Sequence, residues 1–75
     1  MNKVRRQQLK KWLNELEEIR SELESICSAE EEAFDNMPEG LQGSERGMNS
    51  EEAIEQMNEA ISCIEEAAEY VDSII

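Results

Sequence analysis

Histidine is absent from this 75-residue chain, and Cys27 and Cys63 are its only thiols. A His/Cys zinc site therefore cannot close within one chain, and there is no imidazole base to activate a nucleophile. No strand–loop–helix phosphate cradle occurs either, so the chain reads as a non-enzyme with no cofactor and no metal. No run of about 18 apolar residues exists to cross a bilayer, and the N-terminus lacks the apolar core of a secretory signal. These features predict a cytoplasmic protein. The cysteines fall on helical patterns, which predicts two buried free thiols in place of a disulfide.

Proline occurs once, at Pro38, and the three glycines are Gly40, Gly43 and Gly47. All four fall within ten residues, and everything on either side is built from helix formers. Cations are equally confined. Residues 1–20 carry six bases and three acids, whereas residues 21–75 carry Arg46 alone against sixteen acids. The net charge of −12 excludes direct nucleic-acid binding and anionic membrane surfaces as general partners of the body. A basic arm precedes an acidic body.

Apolar residues follow helical spacing on both sides of the break. Leu9, Trp12, Leu16, Ile19, Leu23 and Ile26 alternate steps of three and four, with Leu13 and Cys27 on one flank. Ile54, Met57, Ile61, Ile64, Ala68, Val71 and Ile75 repeat the pattern. The spacing predicts a helix over about 2–35, a loop over about 36–48 and a helix over about 49–75, within one domain. Met37-Pro38 ends the first helix, and Met37 and Leu41 are expected to cover the open end of the core. Asn49 with Glu52 matches a capping box, flanked by a Met48–Ala53 staple, and marks the second start.

The fold class is all-α, an antiparallel helical hairpin that oligomerises into a four-helix bundle or larger assembly. In that register Trp12 faces Val71, Ile19 faces Ile64 and Leu23 faces Ile61. Arg5, Arg6, Lys10 and Lys11 come towards Glu65, Glu66, Glu69 and Asp72. A chain this short rarely holds a sufficient core alone, so a homo-oligomer is expected, with Trp12, Leu13, Ile19, Leu23, Ile26, Met57, Ile61, Ile64 and Val71 at its interfaces.

Candidate ligand groups are confined to the loop. Arg46 stands alone among acids and is suited to bidentate recognition of a carboxylate or phosphate, with Asn36, Gln42 and Ser44 as polar neighbours. The structural alternative is a clamp from Arg46 to Asp35 or to a helix-end glutamate. Glu30-Glu31-Glu32 points in three directions on a helix and forms no metal site. Asp35 and Gly40 have calcium-loop spacing, but Met37 and Arg46 occupy ligand positions and exclude that site.

The segments Phe34-Asp35-Asn36-Met37-Pro38-Glu39 and Leu41-Gln42-Gly43-Ser44-Glu45-Arg46, with Glu51-Glu52-Ala53-Ile54 and Glu65-Glu66-Ala67, resemble small acidic helical-hairpin proteins of bacteriophages and prophages. That resemblance implies an accessory, counter-defence role in the cytoplasm of a bacterial host, exercised by binding. Three function classes follow. One is sequestration of a small anionic nucleotide immune signal at an oligomer site, as a sponge. The second is an acidic inhibitor or nucleic-acid mimic that occupies a basic cleft of a host protein. The third is a structural or assembly factor. Loop chemistry places the first ahead, with charge favouring the second.

Overall fold

Asn2 starts the first helix, its Oδ1 accepting the backbone N–H of Arg5 at 2.9 Å. In the computed structural model, which describes residues 1–75, this helix, α1, runs Lys3–Asp35. It is followed by a single turn, α2 (Glu39–Gln42), and by α3 (Glu45–Ile74). The chain is all-helical with no strand. α1 ends where Asn36 N–H closes back on the Glu32 carbonyl at 3.0 Å and Met37 N–H on that of Phe34. Pro38 cannot donate the next bond. Its own carbonyl accepts from Leu41 and Gln42 to make α2.

The second long helix begins at Glu45, earlier than the capping box at Asn49 predicts. Ser44 is the cap: its Oγ accepts from Gly47 N–H at 3.5 Å and donates to the Leu41 carbonyl. Asn49 is an exposed interior residue of α3. Gly47, which resembles a loop glycine in sequence, is a packing residue inside the first turn of α3. A Cβ there would fall on the Gln42 carbonyl and lie 2.5 Å from the Leu41 oxygen. No glycine has a positive φ, so none is present for the left-handed conformation.

The molecule measures 58 × 14 × 13 Å with a radius of gyration of 17.1 Å. A globular chain of this length has a radius of about 11 Å, so there is no central core. Burial runs instead along a line where α1 and α3 touch. On α1 the line is Leu9, Leu13, Leu16, Arg20, Leu23, Cys27, Glu30 and Phe34, and on α3 it is Gly47, Ser50, Ile54, Met57, Ile61, Ile64, Ala68 and Val71. Cys27 lies between Ile54 and Asn58, its Sγ 4.0 Å from the Ile54 carbonyl and 3.6 Å from the Asn58 Oδ1. Ser50 Oγ donates to Glu30 Oε1 at 2.6 Å.

The inward line of α3 is the one its spacing predicts. That of α1 is rotated. Leu9, Leu16 and Leu23 are shared with the predicted seam, but Leu13, Arg20 and Cys27 replace Trp12, Ile19 and Ile26, which are 56%, 48% and 58% exposed. The end of the pair is also closed differently. Met37 is half-buried, but Leu41 is exposed, and α2 docks through its backbone on Gly47.

Candidate functional site

α1 and α3 share a groove lined by Leu13, Glu17, Arg20, Glu65, Ala68, Glu69 and Asp72. About 100° separates successive helical residues, so Glu17, Glu24 and Glu31 project on one flank of α1's inward line. Glu65, Glu69 and Asp72 do the same on α3. Arg20 is the one cation in this acidic groove. Its guanidinium donates to Glu17 at 3.1 Å and to Glu24 at 3.0 Å. The bond to Glu17 is the largest cause holding the Arg20 pKa above its usual value, with the charge of Glu24 next. These are the only ion pairs in the chain, so the remaining carboxylates of the groove are left uncompensated.

The basic arm does not neutralise them. Lys3, Arg5, Arg6, Lys10 and Lys11 are all exposed and none lies within ion-pair distance of an acid, contrary to the register-based expectation for Arg5, Arg6, Lys10 and Lys11. Exposed pairs return too little Coulomb energy to hold long side chains in one geometry. Lys11 Nζ instead sits 5.7 Å from the centroid of the Trp12 ring.

The four loop candidates are close in sequence but differ in what they are free to do. Gln42 Nε2 donates to the Phe34 carbonyl at 3.1 Å, tying α2 to the end of α1. Ser44 is occupied as the α3 cap. Asn36 is the exposed C-cap of α1. Arg46 is exposed in the first turn of α3 with no ion pair, so the clamp to Asp35 does not form. Of the candidate interface residues, Ile61 is buried and Leu13, Leu23, Met57, Ile64 and Val71 are half-buried between α1 and α3. Trp12, Ile19 and Ile26 face outward.

The thiols separate as well. Cys27 is buried at 3% exposure, and burial, followed by the nearby Glu31 carboxylate at 3.7 Å, pushes its pKa up. Cys63 is exposed, which corrects the expectation that both would be buried. Its position lies outside the α3 line that meets α1. Sequence reasoning missed Arg20 and Cys27 as inward residues. The available signal was Leu13 and Cys27 flanking the apolar seam, which already marked the side to which it turns.

No protein-family model, curated protein or solved structure matches this chain.

Proposed function

We propose that the protein is a non-enzymatic binding protein, an antiparallel helical hairpin that self-associates and presents its acidic face to a basic cleft of a host protein. The direction of the helices is supported by the pairing of Glu30 with Ser50 at one end and the sharing of a groove by Leu13 and Asp72 at the other. The observation that carries the functional reading is that groove. Carboxylates from both helices line it, one arginine stands among them, and the basic arm pairs with none of them. An uncompensated acidic surface on a narrow rod complements a positive cleft and speeds encounter with it. The resemblance of the chain's loop and helix segments to phage accessory proteins supports a bacterial host as the source of that partner.

Sequestration of an anionic nucleotide is the second reading, and unpaired Arg46 favours it. It ranks below the first because Gln42 and Ser44 already serve the backbone around α2. The two are separated by titrating cyclic and ADP-ribose-derived nucleotides into the purified protein and by capturing host proteins with the wild type, Arg46→Ala and a Glu65→Lys/Glu69→Lys/Asp72→Lys variant. The acidic reading predicts no nucleotide binding and a captured protein that survives Arg46→Ala and is lost with the acid reversals and with rising salt. Nucleotide binding abolished by Arg46→Ala overturns it.

A further inference from the structure

The flank opposite the acidic groove has the reverse character. On α1 it carries Trp12, Ile19 and Ile26 at intervals of seven, all exposed. On α3 the corresponding flank carries Ala53, Ala60, Ala67 and Ile74, also at intervals of seven, and no acid from Asn49 onward falls on it. Because the two helices run in opposite directions, equal rotations from their inward lines bring both flanks to the same side of the pair. The hairpin therefore has one acidic face and one predominantly apolar face, a stripe of large residues beside a stripe of small ones, bordered on α1 by Glu15 and Glu22.

We propose that the apolar face is covered by a second copy of this chain, with the large stripe of each copy seated on the alanine stripe of the other. Size and level both fit. Cys27 is level with the midpoint of Ile54 and Asn58. Counting outward from there places Trp12 level with the gap between Ala67 and Ile74, Ile19 with that between Ala60 and Ala67, and Ile26 with that between Ala53 and Ala60. A two-fold axis parallel to the helices preserves these levels and lays α1 of one copy over α3 of the other. Ile19 and Ile26 then each enter a space between two alanines, and Trp12 enters that between Ala67 and Ile74, as knobs enter holes.

The surface area points the same way. The chain exposes 5740 Å², whereas a compact monomer of its mass exposes about 4,700 Å². The excess of about 1,000 Å² is comparable to the roughly 800 Å² that each partner contributes to a stable interface. A face three positions wide, formed by the inward line and its flank, is the pattern of a helix in a bundle and exceeds what a lone pair needs. The assignment rests on the self-association proposed above and adds the face, the partner and the seating, which leaves the acidic groove outward on both sides of the dimer.

The test is light scattering with Trp12 emission on three proteins: wild type, Ile19→Glu/Ile26→Glu, and Ala67→Glu, whose site is exposed in the single chain so that its fold survives the change. Wild type is expected at twice the 8.6 kDa chain mass, with Trp12 emission moving to the blue as concentration rises. Ala67→Glu is expected to be a helical monomer with red-shifted emission at every concentration, as is the isoleucine variant wherever it remains helical. A monomeric wild type overturns self-association itself. A wild-type dimer that persists in Ala67→Glu overturns the face, and any other wild-type mass overturns the paired seating.

Discussion

Gly40 and Gly47 differ in what surrounds them. A methyl group on Gly47 meets the carbonyls of Leu41 and Gln42, which are backbone atoms and cannot swing aside, while nothing lies within 4 Å of one on Gly40. Gly47→Ala is expected to lower stability by about 1–3 kcal/mol, the range for overpacking. Gly40→Ala is expected to be neutral or to stabilise by roughly 0.5–1 kcal/mol, since alanine loses less backbone freedom in helix. Urea denaturation of the two variants checks the contrast. Cys27 gives a second residue-scale prediction. Its raised pKa means the folded state retains the thiol proton more tightly than the unfolded chain. That stability is complete below the ordinary thiol pKa of about 8.5 and is lost as pH rises above it. Cys27→Ser should flatten the alkaline limb of a stability–pH profile. A native-state thiol titration at neutral pH should count Cys63 alone, and denaturation should release Cys27.

The outcome at the element scale depends on which local signals are unambiguous. α1 and the inward line of α3 follow directly from apolar spacing, and Asn36, Met37 and Pro38 give the end of α1 its physical cause. The start of α3 does not follow, because Asn49 with Glu52 matches a capping box, whereas Ser44 has Gly47 three residues on and offers only an N-cap hydroxyl. Only the docking of α2 on Gly47 decides between them, and that is a tertiary contact. The rotation of α1 has the same origin: its apolar face is three positions wide, and spacing alone does not say which two positions meet α3. In the loop candidates, the residue types were legible and their occupations were not, since Gln42 and Ser44 are equally suited to a ligand and to the backbone they bind. Ser44→Ala should therefore cost about 0.5–2 kcal/mol through the lost cap, and Asn49→Ala should cost little, as read by thermal unfolding. Ile61→Ala should cost about 2–5 kcal/mol by lost burial and a residual cavity.

For the whole molecule, the balance of surface and charge links fold to function. Only five residues are buried and no side chain is fully enclosed, so the 58 Å rod lacks a core of its own to match its length. In the proposed dimer the apolar face supplies the missing burial, and the acidic face is left for the proposed partner of opposite charge. Raising salt should strengthen self-association, by screening repulsion within a chain of net charge −12, while weakening capture of a basic protein. The measurement that tests this account most directly is the urea midpoint of the wild-type chain as a function of its own concentration. If folding is completed by a second copy, the midpoint rises with protein concentration by mass action. A cooperative transition whose midpoint is the same across a hundredfold range of concentration would contradict it.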